Sequence, residues 1–129
     1  MEIHAEYLIQ QMIRSAIDAV KPDHFIPELI HTEGSRMSVH GCDSEGYESC
    51  QDYFLNDYRQ IFLVSVGKAA AGMAEAFERR IPSRITEGIV LTKHLTKSAL
   101  PDERYHIFQG GHPVPTEESI RGAEAILSF

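Results

Sequence analysis

Residues 60–74, with the sequence QIFLVSVGKAAAGMA, contain the transition that decides the fold. The run IFLVSV at 61–66 is apolar except for Ser65, which predicts a strand buried on both faces of a sheet. An alanine-rich helix follows at once and ends before Pro82, because proline lacks the backbone N–H that a helix needs. The apolar stripe expected on that helix consists of Ala70, Met73, Phe77 and Ile81.

Downstream of this unit, GIVLT at 88–92 and YHIF at 105–108 predict two more strands, and residues 116–129 predict a last helix. Thr116 is a good N-cap for that helix, and its inner stripe is expected to be Ile120, Ala123 and Leu127. The order strand, helix, strand, strand, helix over 59–129 predicts a parallel sheet with layered helices. Only three core strands are visible, and no glycine or proline closes the last helix. We therefore expect the first part of a longer protein, against the alternative of a compact domain that ends in a helix.

The N-terminal region, residues 1–58, has weaker patterns. An amphipathic helix is expected over 3–20, packed on a sheet, with Pro22 as its stop. Two short strands, in 27–31 and 36–41, flank a turn at Glu33-Gly34 and predict a hairpin. The acidic stretch 41–52 is interpreted as a surface loop. It contains both cysteines, Cys42 and Cys50, which could pair with each other but are expected to be reduced thiols.

Composition limits the classes of function. The chain of 129 residues is 43% hydrophobic and 24% charged, as in a soluble globular domain. Its net charge of −7 argues against a general nucleic-acid or anionic-membrane surface, since both need basic patches. We expect no membrane span, because no apolar run approaches about 20 residues. We expect a cytoplasmic protein, because MEIHAEYLIQ at 1–10 lacks the basic start and apolar block of a secretory signal. No metal-ligand spacing is visible among the histidines and cysteines.

Three strand ends carry polar or cationic residues that could form a binding site. Gly67-Lys68 follows the first strand, Lys93 and His94 follow the second within TKHLTK, and Gly111-His112-Pro113 follows the third. Ligands of parallel α/β sheets bind at the carboxyl ends of the strands, and a helix N-terminus favours an anion. Each of the three segments also has an interpretation without a ligand. Lys68 could be a solvated lysine at a helix start, the segment TKHLTK with Lys97 could be a charged surface loop, and His112 could be a turn residue that bonds only to backbone. A Walker loop is excluded, because Phe62 stands at its first glycine and Ala69 at its Ser/Thr.

The pieces IFLVSVGKAAAGMAEAFE, GIVLTK and FQGGHPVPTEESIRGAEAIL occur in an order that resembles the N-terminal domain of the class II glycerate kinases, the glycerate 2-kinase family. The resemblance covers about residues 55–128. It implies a Rossmann-like three-layer α/β/α sandwich with a mostly parallel sheet, incomplete here, and a second, MOFRL, domain that is absent from these residues. One departure is Ser65, which stands where the family usually has the first glycine of its Gly-Lys motif.

The resemblance also implies an activity. The family transfers a phosphoryl group from ATP to the 2-hydroxyl of D-glycerate, with Mg²⁺, in a cleft between two domains. Lys68 in the Gly67-Lys68 motif matches the family's active-site lysine, and Gly111, His112 and Pro113 match the turn that lines the cleft. Lys93 is a further binding candidate from its strand-end position, although the family commonly has Lys-x-Gly-His where this sequence reads Lys93-His94-Leu95-Thr96. These residues alone are expected to be inactive. The competing hypotheses are a non-catalytic small-anion or nucleotide-binding domain and a structural fragment that forms a homodimer.

Overall fold

The computed structural model describes residues 2–94, 99–101 and 103–129. Its helices and strands follow in chain order as α1 (Glu2–Ala19), α2 (Pro22–Leu29), β1 (Ile30–Glu33), β2 (Arg36–Cys42), β3 (Glu48–Phe54), β4 (Phe62–Val66), α3 (Ala70–Arg80), β5 (Glu87–Thr92), β6 (Tyr105–Gln109) and α4 (Glu117–Leu127). A short 3₁₀ turn, Leu55–Asp57, precedes β4. No helix among the described residues combines the length and the apolar content needed to cross a membrane.

The C-terminal sheet is parallel, with the strand order β4-β5-β6. Neighbouring residues of a strand point to opposite faces, and the two faces carry different helices. Val90 belongs to the core cluster that contains Ala70 and Ala74 of α3, whereas Leu91 lies beside Gly122 of α4. The sheet therefore lies between α3 and α4, which confirms the three-layer α/β/α class with a parallel, incomplete sheet.

The prediction that β4 is buried on both faces is wrong. Phe62, Val64 and Val66 are exposed large apolar residues, on the face that also carries α4. β4 is an edge strand of this sheet, and α4 contacts β5 and β6 instead. Helix α3 differs in one position from its expected stripe: Ala70 and Ile81 are buried, but Met73 is exposed.

The predicted inner stripe of α4 is also wrong. Ile120 and Leu127 are exposed, Leu127 by 88%, whereas Gly122 is buried. A Cβ on Gly122 would lie 2.9 Å from Leu91 Cδ1 and 3.1 Å from Phe108 Cβ. The helix therefore approaches the sheet through a glycine, which carries no apolar signal in the sequence.

The N-terminal region forms a second, antiparallel sheet in the order β1-β2-β3. The expected hairpin is confirmed in its turn and second strand, with Glu33 opposite Arg36 and Gly34 at φ +61° in the turn. Its first strand, expected at 27–31, is wrong in part, because α2 extends to Leu29 and β1 is Ile30–Glu33. The surface-loop interpretation of 41–52 is wrong in part, because β3 pairs with β2 over its whole length, from Arg36↔Phe54 to Cys42↔Glu48. Cys42 and Cys50 are exposed free thiols on these strands.

Two helices differ from the expectation for residues 3–29. Pro22, expected only as a stop, is also the first residue of α2, a position where the missing N–H costs nothing. α2 packs on α3 through Ile26 and Ala76. Helix α1 forms as expected, but it is not packed on a sheet: from His4 to Ala19 each side chain except half-buried Asp18 is exposed.

A hydrogen-bonded cluster, Glu78–Arg104–Tyr105, joins the end of α3 to the beginning of β6. Glu78 Oε1 accepts a hydrogen bond from Arg104 Nη2 at 2.6 Å, and its Oε2 accepts one from the Tyr105 hydroxyl at 2.6 Å. Burial by itself raises the pKa of Glu78, but the bonds from Arg104, Tyr105 and the Ser83 amide outweigh it and lower that pKa. Burial, together with the bond to Glu78, raises the pKa of Tyr105. The cluster lies near the strand beginnings, so its role is to hold α3 on the sheet.

Candidate functional site

The carboxyl ends of β4, β5 and β6 enclose a cleft of about 270 Å³. Of the six residues singled out in the sequence, five line this cleft: Gly67, Lys68, Lys93, Gly111 and His112. Pro113 is not among its lining residues. Lys97 lies outside the residues that the structure describes, and His94 is exposed and is not part of the lining. The cleft also contains Val66, Leu91, Thr92, Gly110, Pro115 and Ser119.

The Gly67-Lys68 joint has the backbone geometry of an anion-binding turn. Gly67 has φ +122°, which a residue with a side chain rarely adopts. Its N–H donates to the Leu91 carbonyl at 2.9 Å, which ties the turn to the neighbouring strand. Within the described part of the chain, the N–H groups of Lys68 and Ala69 have no acceptor, and the Lys68 ammonium has no acidic partner. Unpaired N–H groups at the start of α3, with an exposed lysine beside them, suit an anionic ligand.

Lys93 reaches the same cleft from the end of β5. Its carbonyl accepts a hydrogen bond from Gln109 Nε2 at 3.3 Å, and its side chain is half buried. Thr92, next to it, is buried and points its hydroxyl towards the His94 carbonyl, at 3.5 Å. The Gln109 side chain and the Thr92 hydroxyl therefore hold the backbone at Lys93 and His94, where the chain leaves the sheet.

The Gly-Gly-His turn is held by one hydroxyl group. Ser119 Oγ accepts hydrogen bonds from the Gly111 N–H at 3.0 Å and the Thr116 N–H at 3.1 Å. Gly111 is packed so closely that an added Cβ would overlap the Val114 carbonyl oxygen. Ser119 is the third residue of α4, so the same side chain caps the helix and shapes the turn that presents His112, whose bond to Pro113 is cis. Sequence reasoning missed Ser119, although its place three residues after the Thr116 N-cap is the spacing of a capping box.

The charges of the cleft select for anions. Lys68 and Lys93 line it, and no carboxylate does so within the described residues. Nor do the described residues contain a group of three or more histidine, cysteine or acidic side chains arranged to hold a metal ion. The cleft therefore has two ammonium groups and free backbone donors for a phosphate or carboxylate, and no ligand set for Mg²⁺.

A comparison with family models identifies the chain. Residues 8–129 match the model described as Domain of unknown function (DUF4147). The chain belongs to the DUF4147 family. This domain is the N-terminal part of the glycerate kinase family, which confirms the resemblance drawn from the Gly-Lys and Gly-His-Pro motifs.

Curated relatives agree with this assignment. The domain is 38% identical over 119 residues to a D-glycerate 2-kinase of Thermotoga maritima and 35% identical over 119 residues to a glycerate 2-kinase of Pyrococcus horikoshii. Both matches cover 92% of the chain, but 23% and 24% of those enzymes. A putative hydroxypyruvate reductase of Agrobacterium vitis is 41% identical over 66 residues, which is 51% of the chain and 15% of that protein. The chain therefore spans about a quarter of the length of the glycerate 2-kinases that it matches.

Solved structures show the same fold. A protein of Pyrococcus horikoshii superposes with a TM-score of 0.70 at 25% identity, over 96% of the chain and 25% of that protein. A glycerate kinase of Thermotoga maritima superposes with a TM-score of 0.63 at 26% identity, over 97% of the chain and 24% of that enzyme. The fold of this chain, including both of its small sheets, thus occurs in a glycerate kinase.

Proposed function

We propose that this chain is the N-terminal portion of an ATP-dependent glycerate 2-kinase and supplies one wall of its active site. The proposal rests on the kinases named above and on one observation, the cationic cleft at the strand ends. In the proposed reaction the 2-hydroxyl oxygen of D-glycerate attacks the γ-phosphorus of ATP, the bond between that phosphorus and the ADP oxygen breaks, and the hydroxyl proton is released to water. The products are 2-phosphoglycerate and ADP.

Each cleft residue has a role that its position supports. Lys68, with the free N–H groups at the start of α3, binds either the transferring phosphoryl group or the glycerate carboxylate. Lys93 supplies the second positive charge, so that the two anionic groups brought together by the reaction are both neutralised. Phosphoryl transfer depends chiefly on such positioning and charge stabilisation. Gly67 admits the ligand to the backbone, and the turn of Gly111, His112 and Pro113 shapes the wall.

Mg²⁺, which the resemblance implies, does not fit the described cleft. Magnesium prefers carboxylate, carbonyl and water oxygens, and the lining side chains include two ammonium groups and no carboxylate. The protein ligands of Mg²⁺, in the proposed enzyme, come from outside this cleft wall.

The proposal is tested by measuring phosphorylation of D-glycerate with ATP and Mg²⁺. The 129-residue chain is assayed beside the longest reading frame that contains it. We expect activity in the longer protein alone, because one wall of a cleft cannot surround both substrates. Lys68→Ala in the longer protein should lower kcat/KM at least 100-fold, since a charge that stabilises the transition state is worth about 2.7–4 kcal/mol. Lys21→Ala is the matched control, because Lys21 is exposed and pairs with Asp18, away from the cleft.

A second candidate function is a non-catalytic small-anion or nucleotide-binding domain. It is favoured by the same free N–H groups and lysines, and by a cleft lining that includes no carboxylate among the described residues. Titration of the 129-residue chain with ATP, inorganic phosphate and glycerate, followed by backbone amide chemical shifts, separates the two. Shifts centred on residues 67–70 without turnover in any longer form would favour the binding domain. Absence of both binding and turnover would eliminate both and leave a structural fragment.

A further inference from the structure

The hydroxyl group of Ser119 has one hydrogen-bonding position left over. Its oxygen accepts hydrogen bonds from the Gly111 N–H at 3.0 Å and from the Thr116 N–H at 3.1 Å. A serine hydroxyl has two lone pairs and one proton, so these two bonds occupy both lone pairs. The group can therefore make one more hydrogen bond, in which it donates its proton.

The protein itself offers that proton only a distant acceptor. In the described part of the chain, the other polar atom recorded beside the Ser119 oxygen is Thr116 Oγ1, at 3.4 Å. Hydrogen bonds from a hydroxyl group to an oxygen are ordinarily about 2.5–3.0 Å long, so this contact is weak. An anionic oxygen within the ordinary distance is a stronger acceptor and would take the proton instead.

The Ser119 oxygen borders the cleft at the strand ends. Ser119 lines that cleft together with Lys68 and Lys93. Gly110 leaves the oxygen uncovered, because a Cβ on this glycine would lie 2.9 Å from Ser119 Oγ. No carboxylate lines the cleft within the described residues, so no fixed anion competes with a ligand for the proton.

We propose that Ser119 is a ligand-binding residue of the cleft and that its hydroxyl donates a hydrogen bond to an oxygen of the anionic ligand. The bond gives selectivity as well as affinity. Phosphate and carboxylate oxygens accept hydrogen bonds, whereas an ammonium group, which can only donate, meets an oxygen whose lone pairs are both occupied. The two N–H donors also polarise the hydroxyl and make it a better donor. The proposal rests on an anion in the cleft, which both candidate functions above require.

Amide chemical shifts test whether the hydroxyl contacts the ligand. The probe is 2-phosphoglycerate, which carries a carboxylate and a phosphate. It is added to the isotopically labelled 129-residue chain, with sodium chloride of equal ionic strength as the control. We expect the amide protons of Gly111 and Thr116 to move downfield with the same dissociation constant as those of residues 67–70. The reason is that donation by Ser119 strengthens the bonds that its oxygen accepts.

The outcomes of this titration separate the proposal from the proposed function. Shifts at residues 67–70 with an unmoved Thr116 amide proton would mean that Ser119 only holds the turn, which overturns the proposal and leaves the anion-binding cleft standing. Absence of shifts at both places overturns the proposal and the cleft together. The expected shifts without turnover in the longer reading frame would refute the kinase and support Ser119 as a binding residue.

Variants of Ser119 measure the contribution of the bond. Ser119→Ala should raise the dissociation constant of 2-phosphoglycerate about 10-fold, as expected for the loss of one hydrogen bond to a charged group. Ser119→Thr keeps the hydroxyl and should bind within about 2-fold of the unmodified chain. The matched control is Ser128→Ala, because Ser128 bonds only to the Glu124 and Ala125 carbonyls and does not line the cleft. An unchanged dissociation constant in Ser119→Ala overturns the proposal. The shift measurement uses the unmodified chain, so it does not depend on how well the alanine variant folds.

Discussion

Replacement of Glu78 by glutamine tests whether the Glu78–Arg104–Tyr105 cluster holds α3 on the sheet. Glutamine keeps the shape of the side chain and one acceptor oxygen but removes the charge. Arg104 then has a neutral partner. Water replaces the lost charge only in part, because the Arg104 side chain is 22% exposed and that of Glu78 is 12% exposed. The Arg104 guanidinium still donates to the Ile85 carbonyl at 2.9 Å, so the chain around it should keep its conformation.

The magnitude follows from the bonds that change. Hydrogen bonds to a charged group contribute about 1.5–3 kcal/mol each and neutral ones about 0.5–1.5 kcal/mol. In Glu78→Gln the bond from Tyr105 becomes a bond between neutral groups, and the bond from Arg104 loses its charged acceptor while the guanidinium keeps its charge. The expected loss in the free energy of unfolding is therefore about 2 kcal/mol at pH 7. For a urea dependence of ~2 kcal/mol/M, the unfolding midpoint falls by about 1 M.

The pH dependence of this loss has a definite sign. The pKa of Glu78 is lowered in the folded chain from its ordinary value of 4.5. Its contribution to stability is therefore present above pH 4.5 and is lost as the pH falls through the lower, folded pKa. The difference between wild type and Glu78→Gln should shrink in acid. Tyr105 behaves in the opposite way, because its raised pKa means that stability is lost as the pH rises above 10.

Urea unfolding followed by circular dichroism at pH 7 and at pH 3 measures both effects. Glu118→Gln is the matched control: Glu118 pairs with Arg121, but these side chains are 45% and 69% exposed, so the loss should stay below ~0.5 kcal/mol. Equal midpoints for the Glu78 and Glu118 variants at pH 7 would refute the reasoning. So would a Glu78 effect that grows as the pH falls.

Further predictions concern glycines and one capping residue, all measured by thermal or urea unfolding. Gly67→Ala should lower the free energy of unfolding by about 1–2 kcal/mol, because φ +122° is unfavourable for alanine even though the space around it is open. Gly72→Ala, inside α3 with Pro22 at 3.4 Å, should raise the free energy of unfolding by about 0.5–1 kcal/mol. Stability changes of the same sign in both variants would contradict the argument from the φ of Gly67. Gly88→Ala should destabilise by at least about 3 kcal/mol, since its Cβ would overlap the Tyr105 ring in the core; a loss under 1 kcal/mol would mean that the ring can move aside. Ser119→Ala should lower the free energy of unfolding by about 1–2 kcal/mol, because it removes the acceptor of two backbone N–H groups. An unchanged unfolding midpoint would show that Ser119 does not cap the helix.

Local signals explain which parts of the fold were predictable. The secondary structure of the apolar, β-branched run at 61–66 and of the alanine-rich segment after it depends mainly on the preferences of the residues themselves. Therefore β4 and α3 could be identified directly from the sequence. Gly34 and Gly67 have positive φ, and only glycine adopts such angles without strain. The hairpin turn and the Gly-Lys joint were therefore visible in the sequence. Five of the six candidate site residues line one cleft because parallel strands bring their carboxyl ends to one edge.

Non-local contacts explain the parts that were missed. β3 is an exposed strand, and its identity depends on cross-strand bonds to β2 rather than on its own apolar pattern. Ser119 enters the site only because the α4 N-terminus folds back on the Gly111 turn. Pro113, although part of the recognised motif, ends outside the cleft lining.

The sequence by itself determined the order of strands and helices from β4 onward, the parallel sheet and the edge at which a site should be found. Tertiary structure alone decided which apolar faces are covered. Hydrophobic periodicity identifies the apolar side of α1 or α4, but it carries no information on whether another element packs there. Burial depends on the distance between elements, which for α4 is set by Gly122 against Leu91, and for α1 by the lack of any covering element among the described residues.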